Sequence, residues 1–406
     1  MPSGVTLQLS NGSSDAVTIS ANGSFAFPTA LSSGATYSVT VAVQPVGETC
    51  VVTSGGGVVA ASNVTTIAVN CEQTEFALVP NRADGTTSVY RIDPTTGALN
   101  PVPDSPFPTG SEPNDITVSG NIAYIAQLGS NTVQGFAINP STGSLTALAG
   151  AVAVGLAPAS IVSDLSGRFV YVADTGSDTV TTLSIDPTTH ALTTIGTTTI
   201  GDVPTALAIS PTGQSLYVAD WNSNFVSSFT INTATGALTA TSGSSFSFVG
   251  FQPFAITVAP SGEQIYTLCN GGNDIFFQSV DPSTGQLGVG ASYVSPGSHS
   301  IAIAPSGKVA YVGNTSSSTI QTYDIIATSG FDNIFPRGTG GQISSGSAAA
   351  HVTIDPTGRW LYAPTVSGTI AAFTIDANTG ALTAVPGSQV PTGNGPTTLV
   401  IARPGP

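Results

Sequence analysis

Apolar and polar residues alternate along most of this chain in short runs, which predicts β-strands with one buried face. The clearest run is SLYVAD, Ser215 to Asp220, and the chain repeats its pattern six more times. The other copies read EFALVP, IAYIAQ, FVYVAD, QIYTLC, VAYVGN and WLYAPT, and the marker residues of the set are Ala77, Tyr124, Tyr171, Tyr217, Tyr266, Tyr311 and Tyr362. Successive markers are 45 to 51 residues apart. A strand-rich repeat of this length predicts a β-propeller.

Each repeat contains four strand signals and two recurring turns. In the fourth copy the strands are PTALAIS, SLYVAD, FVSSFTIN and GALTATS. A Pro-Ser/Thr-Gly turn such as SPTGQ joins the first two strands, and an Asp/Asn-Pro-x-Thr-Gly turn such as DPTTGAL joins the last two. Four antiparallel strands make one blade, so residues 73–406 are predicted to form a seven-bladed propeller.

The two ends of the repeat region are complementary. The first copy lacks a PTALAIS-type strand, whereas PTTLVIA, Pro396 to Ala402, follows the last copy without a YVAD-type partner. We therefore expect strand 397–402 to pair with Glu75 to Pro80 as the innermost strand of blade 1. Such pairing closes the ring and removes two open sheet edges.

Residues 1–72 lack the repeat and alternate over shorter strands, such as TYSVTVAV and ETCVVTS, separated by Gly/Ser/Asn turns. This pattern predicts a small β-sandwich. The predicted fold class is therefore all-β, with a small N-terminal β-sandwich and a seven-bladed propeller. Cys50 and Cys71 are expected to form a disulfide that stabilises this small domain; two unpaired buried thiols are the alternative. The stretch resembles the immunoglobulin-like modules of bacterial cell-surface proteins.

Composition limits the partners of the chain. The formal net charge is −15, only 7% of residues are charged, and the one lysine is Lys308. No basic run is present that could neutralise a nucleic-acid backbone, so nucleic acid is not predicted as a partner. No apolar run of about 18 residues is present, so no membrane-spanning segment is predicted. The start of the sequence fits either a cytosolic protein or a mature protein from which a signal segment has been removed. The lysine-poor, Ser/Thr/Gly-rich surface and the predicted disulfide favour the second, with an extracellular, periplasmic or cell-envelope location.

The YVAD, DPTTGAL and SPTGQ elements resemble those of seven-bladed lactonase-like propellers, the family that includes 6-phosphogluconolactonases. The resemblance spans about 330 residues and implies the fold; as a possible activity it implies lactone hydrolysis. The family enzymes use histidine and arginine around the channel mouth. In this chain no His-Pro pair begins an inner strand, and the arginines placed near the mouth are Arg82 and Arg337. An acidic rim with so few arginines disfavours a phosphorylated, anionic substrate.

Strand direction assigns loops to faces. Inner strands begin, and YVAD-type strands end, on one face of the disc, which we call the upper face. Near the start of the inner strands most aligned residues are small, and the exceptions are Asp115, His299 and His351. A histidine oriented by a carboxylate at a channel mouth can act as a general base on water. The alternative is that both histidines are ordinary structural residues hydrogen-bonded to backbone carbonyls or water.

Other residues of the upper face are candidates for ligand binding. The set comprises Arg82, Glu112, Asp174, Asp220, Trp221 and Thr398. Trp221 can stack on a sugar or a partner protein, or fill a gap between blades. Asp174 and Asp220 lie in loop sequences that read either as Asx-type turns or as possible calcium ligands; no other metal or cofactor is predicted.

These observations favour a secreted or envelope protein that binds a small molecule, a glycan or a surface protein through its upper face and channel mouth. The alternative is a hydrolase that opens a neutral lactone, with His351 or His299 as base near Asp115. A third hypothesis is a structural element that assembles through the free edge strands of the N-terminal sandwich.

Overall fold

The computed structural model describes residues 5–10, 14–247, 252–271, 274–328, 331–338 and 340–405, and its regular elements in these ranges are all β-strands. Residues 1–4 and 11–13 of the predicted N-terminal domain, and Pro406 of the predicted propeller domain, lie outside the described residues. Within the described ranges, no helix has the length and hydropathy that crossing a membrane requires.

Seven antiparallel sheets, each with its own inner, second, third and outer strand, form the propeller, which confirms the predicted fold class. Blade 1 consists of Val400–Ala402, Phe76–Asn81, Thr86–Ile92, Leu99–Pro101 and Phe107–Pro108. Blade 2 consists of Pro113–Ser119, Ile122–Gln127, Thr132–Ile138, Leu145–Ala147 and Val152–Ala153. Blade 3 consists of Pro158–Ser163, Phe169–Asp174, Thr179–Ile185 and Leu192–Thr199. Blade 4 consists of Pro204–Ile209, Ser215–Asp220, Phe225–Ile231 and Leu238–Ser247. Blade 5 consists of Pro253–Val258, Gln264–Cys269, Asp274–Val280 and Leu287–Val294. Blade 6 consists of Ser298–Ile303, Val309–Asn314, Thr319–Thr328, Phe331–Pro336 and Gln342–Ser344. Blade 7 consists of Thr353–Ile354, Trp360–Thr365, Thr369–Ile375, Leu382–Ala384 and Val390–Pro391.

The C-terminus supplies the inner strand of blade 1. Val400 lies opposite Leu78, and Ala402 lies opposite Phe76, in an antiparallel pair. A further bridge joins Asn81 and Pro396. The first and last parts of the propeller therefore share one sheet, and the ring is closed by backbone hydrogen bonds.

Fully buried tyrosines connect neighbouring blades. The marker tyrosine of each second strand from blade 2 to blade 7 is 0% exposed. At four interfaces its hydroxyl donates a hydrogen bond to a carbonyl of the Asp/Asn-Pro-x-Thr-Gly turn in the next blade: Tyr124 to His190, Tyr171 to Gly236, Tyr311 to Gly380 and Tyr362 to Gly97, at 2.8 to 3.1 Å. Three turn glycines with a positive φ pack against a ring of the preceding blade: Gly97 on Trp360, Gly143 on Phe76 and Gly236 on Phe169. The sequence repeat thus encodes the contacts between blades as well as the strands.

Arginine side chains also hydrogen-bond to the Asp/Asn-Pro-x-Thr-Gly type turns of the next blade. Arg91, Arg168 and Arg359 each lie over an aromatic ring of their own blade, at 5.1 to 5.7 Å from the ring centroid. The guanidinium groups donate to turn carbonyls of the next blade, at Ser141, Thr233 and Pro94 respectively. These cations lie on the lower face, opposite the mouth, and hold the blades together.

Arg337 was expected near the upper face, and the structure places it elsewhere. Its guanidinium forms an ion pair with Asp324 and donates to the Thr379 carbonyl, in a turn of the lower face, at 2.6 Å. The reason is the irregular blade 6, in which a long hairpin, Thr319–Thr328 and Phe331–Pro336, replaces the usual turn. The Gln264 side chain of blade 5 hydrogen-bonds both backbone groups of Asp332 and holds this hairpin against its neighbour.

The N-terminal residues form two small sheets around one apolar cluster. One sheet contains Ser14–Ile19, Val5–Ser10, Thr36–Val43 and Gly56–Val58, and the other contains Glu48–Thr53 and Ala68–Gln73. Leu7, Val39 and Cys50 are the buried residues of the cluster. The predicted disulfide between Cys50 and Cys71 is present and joins directly opposite residues of the second sheet.

Polar contacts connect these N-terminal strands to the lower face of the propeller. Glu72 forms an ion pair with Arg359 at 2.8 Å, and the Gln73 amide donates to the Arg403 carbonyl at 2.8 Å. Arg403 in turn is paired with the buried carboxylate of Glu75. The N-terminal part of the chain therefore contacts the face opposite the candidate mouth.

Candidate functional site

The residues at the start of the inner strands lie on the upper face, and several of their side chains bridge neighbouring blades. One residue after the leading proline, Asn114 donates to the Ala159 carbonyl at 2.7 Å, and Thr205 donates to the Pro253 carbonyl at 3.2 Å. The inner strands are short and converge on the axis, so one side chain reaches the next strand. Residues predicted to bind or react therefore also have structural roles.

Asp115 lies between the inner strands of blades 2 and 3. Its carboxylate accepts hydrogen bonds from the backbone amides of Ile116 and Ile161, both at 2.9 Å. Burial raises the pKa of Asp115 to about 6, although these two hydrogen bonds act to lower it. Ser160, at the same position of blade 3, accepts from the Leu207 amide at 3.3 Å, so the carboxylate occupies a repeated inter-blade contact.

His351 lies in blade 7 and contacts Thr353 rather than Asp115. Its Nδ1 is 3.0 Å from the Thr353 hydroxyl, which itself donates to the Leu399 carbonyl at 2.6 Å. Burial, with a smaller effect of His299, lowers the pKa of His351 to about 4, so the imidazole is neutral at pH 7. The hydrogen bonds of Asp115 and His351 do not join the two side chains. Thr398, expected to bind ligand, is buried, and it precedes Leu399, whose carbonyl accepts the Thr353 hydrogen bond.

His299 is the exposed histidine of the mouth. Its Nδ1 is 2.9 Å from the Ala350 carbonyl of blade 7. Because a carbonyl oxygen accepts, Nδ1 carries the proton, and the lone pair of neutral His299 is on Nε2. The backbone contact therefore fixes one ring nitrogen and leaves the other as an acceptor.

An aromatic strip crosses blades 4 to 6 at the mouth. The rings of Trp221 and Phe254 are 6.1 Å apart edge to face, and those of Phe254 and His299 are 5.8 Å apart. Trp221 and Phe254 are half-buried, so each presents part of its ring to solvent. Phe254 is not among the predicted binding residues. The signal was available, since Phe254 is aromatic at an inner-strand position where most blades have a small residue.

Arg82 and Glu112 form a polar pair on the side of the mouth contributed by blades 1 and 2. Arg82 Nη2 is 3.1 Å from Glu112 Oε2, and both side chains are nearly half exposed. Arg82 also reaches the Asn114 side chain at 3.5 Å. The structure thus brings together two of the predicted ligand-binding residues and pairs their opposite charges.

Asp174 and Asp220, which were expected in loops of the upper face, are buried at the ends of their strands. Both are 0% exposed. Asp174 accepts from the Thr181 hydroxyl at 2.6 Å, and Asp220 accepts from the Ser227 hydroxyl at 2.7 Å. Burial raises the pKa of Asp174 to about 6 and that of Asp220 to about 7. Each carboxylate fastens the second strand to the third, inside the blade.

The one cluster of at least three potential metal-ligating side chains found in the described part of the chain comprises Glu48, Cys50 and Cys71. Both cysteines of this cluster are committed to the disulfide. Its position, among the N-terminal strands, is away from the mouth.

Fold and sequence comparisons both point to lactonase-like propellers. Residues 68–250, which include blades 2 to 4 and most of blade 1, match the family described as lactonase, 7-bladed β-propeller. No curated protein matches the chain in sequence.

Two solved structures illustrate the similarity. A putative 6-phosphogluconolactonase from Bacteroides fragilis aligns with a TM-score of 0.70 and 19% identity, over 84% of this chain and 100% of its own. A periplasmic gluconolactonase from Pseudomonas aeruginosa aligns with a TM-score of 0.67 and 16% identity, over 81% of this chain and 99% of its own. At these identities the comparisons establish the fold.

Proposed function

We propose that the channel mouth binds a neutral, ring-shaped small molecule such as a sugar or a sugar lactone. The observation that carries the proposal is the aromatic strip of Trp221, Phe254 and His299, which presents ring surface from three consecutive blades. Aromatic rings stack on the apolar faces of sugars, while polar groups nearby select the orientation of the hydroxyl groups. The Arg82–Glu112 pair and Asn114 supply such groups on the other side of the mouth.

Electrostatics favours a neutral ligand over a phosphorylated one. Arg82 is already paired with Glu112, and Arg337 is held on the lower face by Asp324. The net charge of −15 adds long-range repulsion for an anion. Binding a phosphate at the mouth would therefore require breaking an existing ion pair.

A second candidate function is hydrolysis of a neutral lactone, and the geometry of His299 favours it specifically. With Nδ1–H directed at the Ala350 carbonyl, Nε2 can accept a proton from water. The resulting hydroxide would add to the lactone carbonyl, the ring C–O bond would break, and the proton would pass to the leaving alkoxide. The similarity to lactonase-like propellers, including a periplasmic gluconolactonase, supports this alternative.

We further propose that the chain functions outside the cytoplasm. The Cys50–Cys71 disulfide and the similarity to a periplasmic enzyme support an extracellular or envelope location. Residues 1–72 would then serve as an immunoglobulin-like spacer or anchor, and residues 73–406 as the binding propeller. Attachment through the lower face would leave the mouth directed away from the envelope.

Binding is tested by ligand-observed NMR with a panel of neutral sugars, sugar lactones and soluble cell-wall glycans. We expect at least one probe to bind, and Trp221→Ala or Phe254→Ala to weaken binding by tenfold or more. Phe335→Ala is the matched control, because Phe335 is an exposed aromatic on the outer strand of blade 6. Equal binding by all four proteins, or binding of no probe, would contradict the proposal.

Hydrolysis is tested with glucono-1,5-lactone in a pH-stat. If the second candidate is right, His299→Ala lowers kcat by roughly 10²-fold or more, the typical contribution of a general base. His351→Ala is expected to have a smaller effect, because the low pKa of His351 makes it a weak base. Absence of turnover above the buffer rate would reject the hydrolase and leave the binding proposal standing.

A further inference from the structure

A second cleft opens on the lower face between blades 4 and 5, with a volume of about 460 Å³. It is separate from the mouth, because the turns that border it lie at the opposite end of the strands. Its lining is uncharged and rich in hydroxyl groups: Gln214, Ser215, Thr230, Ile231, Thr233, Ala240, Thr241, Ser283 and Thr284.

The cleft exists because one bulky residue of the repeat is missing. At four other interfaces, the first residue of the second strand packs a bulkier apolar side chain against the turn glycine of the next blade: Phe76 on Gly143, Phe169 on Gly236, Val309 on Gly380 and Trp360 on Gly97. In blade 4 this position is Ser215, which faces Gly285. A serine is too small to fill the space that a phenylalanine or tryptophan occupies elsewhere.

The described residues at this interface also lack the two kinds of hydrogen bond that join other blades, from a tyrosine hydroxyl or from an arginine to a turn carbonyl. At four interfaces a tyrosine hydroxyl donates to the turn carbonyl, but at this interface the Gly285 carbonyl accepts from Ser228 at 2.6 Å instead. Lower-face arginines reach the turns of blades 1, 2, 4 and 7, and no arginine contact is found with the described turn of blade 5.

Polar side chains behind this interface are differently bonded from those of other blades. The Tyr217 side chain is 0% exposed, and its hydroxyl is within reach of the Ser215 side chain instead of a turn carbonyl. Thr267 and both polar atoms of the Gln278 amide are buried without partners. By strand alternation these residues point to the same face as Ile265 and Val280, which pack against Tyr217. A buried polar group without a partner costs roughly 1–3 kcal/mol, so these residues, which lie behind the cleft lining, weaken the interface at which the cleft opens.

We propose that this cleft is a second binding site, for a neutral polyhydroxylated molecule of about monosaccharide size. The volume lies within the usual range of small-molecule sites, and a lining of hydroxyl and amide groups matches sugar hydroxyls. The lining contains no ionisable side chain to attract a charged ligand. This inference does not depend on the function proposed for the mouth.

The experiment uses saturation-transfer NMR with D-glucose, D-galactose and myo-inositol on the full-length Trp221→Ala protein, in which the mouth is impaired. Ser215→Phe restores the residue that blade 3 has at the equivalent position and fills the cleft. We expect binding of at least one probe by Trp221→Ala, and a loss of tenfold or more in affinity when Ser215→Phe is added. Binding that survives Ser215→Phe, or no binding of any probe, would overturn the proposal and identify a cleft that holds only water.

A second variant covers the case in which Ser215→Phe folds poorly. Thr284→Val removes one hydroxyl from an exposed turn residue of the lining at nearly constant volume. We expect it to weaken binding several-fold without lowering the thermal midpoint. Thr379→Val, at the same position of the blade 7 turn, is the matched control and is expected to leave binding unchanged. Equal affinities for both variants would also overturn the proposal.

Discussion

At the scale of single residues, the last position of the second strand shows how one structural role is filled by different chemistry. Blade 1 has Asn81, whose amide donates to the Ser88 hydroxyl at 2.9 Å, while blade 4 has Asp220, which accepts from the Ser227 hydroxyl at 2.7 Å. Both side chains are 0% exposed. The amide satisfies the site without charge, whereas the carboxylate places an ionisable group in a buried position.

This difference predicts that Asp220→Asn stabilises the protein at alkaline pH. The folded-state pKa of Asp220 is raised from 3.8 to about 7, so folding favours the protonated form. The ionised carboxylate costs stability progressively as pH rises from about 4 to 7, by roughly 2–4 kcal/mol above pH 7. Urea unfolding is therefore expected to show a gain of this size for Asp220→Asn at pH 8 and a much smaller one at pH 5. A gain independent of pH would contradict the assignment.

The same variant separates the structural role from calcium binding, which stays a prediction for the loops of Asp174 and Asp220. A bound cation would stabilise the ionised carboxylate, so calcium would raise the melting temperature of the wild type and Asp220→Asn would lose that increase. If Asp220 has only the structural role, calcium and a chelator give the same melting curve for both proteins.

The burial of these carboxylates could not be predicted from local sequence. DTGSD and DWNSN read as exposed loops, because turn residues follow the aspartate directly. In the fold, a segment from earlier in the chain covers each carboxylate: Gly155 lies against Asp174, and Gly201 lies against Asp220. A side chain on Gly155 would come within 2.6 Å of Asp174 Cβ. This tertiary contact, and not the strand pattern, decides that the residues are internal.

At the scale of elements, the closing strand depends on an ion pair as well as on backbone pairing. Arg403 follows Val400–Ala402 directly, and Glu75 precedes Phe76–Asn81. Burial raises the pKa of Glu75, and the hydrogen bond and charge of Arg403 oppose that effect. The pair therefore joins the two ends of the propeller beside the strand that closes it.

Arg403→Ala is expected to destabilise the ring by roughly 1–3 kcal/mol, because it leaves the Glu75 carboxylate buried without a partner. Adding Glu75→Gln should recover part of this loss. Denaturant unfolding of both single variants and the double variant measures the coupling. Additive effects of the two substitutions would show that the pair does not interact.

Removal of residues 397–406 is expected to be more severe. It takes away the inner strand of blade 1 and leaves Phe76–Asn81 as an unpaired edge near the channel. We expect a lower thermal midpoint and concentration-dependent aggregation, measured by calorimetry and light scattering. A truncated protein that stays monomeric with an unchanged midpoint would show that the closing strand is dispensable.

The strands themselves were the most predictable part of the molecule. Alternation over six residues and the marker tyrosines specify the second strand of each blade, and the same tyrosines are the fully buried residues of the interfaces. Blade 6 was less predictable, because its hairpin is held by Gln264 of the preceding blade and not by a turn sequence of its own.

At the scale of the whole molecule, two parts of the chain have different means of stabilisation. The propeller contains many inter-blade clusters, whereas the N-terminal sheets share one small cluster that includes the disulfide. The disulfide spans 21 residues of sequence, and a link of this length contributes about 3 kcal/mol through the unfolded state.

Reduction of the disulfide is therefore expected to destabilise the N-terminal part selectively. Calorimetry with and without a reductant should show an early transition that moves to lower temperature and a main transition that does not move. Cys269→Ser serves as the control, since Cys269 is a buried free thiol in blade 5. A shift of the main transition by the same amount would indicate that the two parts unfold as one unit.

The candidate mouth was only partly predictable at this scale. Strand direction predicts that Arg82, Glu112 and Trp221 lie on the same face, because it needs only the order of strands in a blade. It did not reveal that Phe254 joins Trp221 to His299, or that Asp115 and His351 contact backbone and threonine instead of each other. Such contacts depend on distances between blades, which the repeat alone does not fix.

The position of the closing strand also has a consequence for biosynthesis. A ribosome makes Phe76–Asn81 more than 300 residues before it makes Val400–Ala402. Until Val400–Ala402 has been made, every nascent chain carries blade 1 without its innermost strand and cannot form a closed circle. The ring therefore closes only after all seven blades have been synthesised, and the edge of Phe76–Asn81 stays unpaired for that interval.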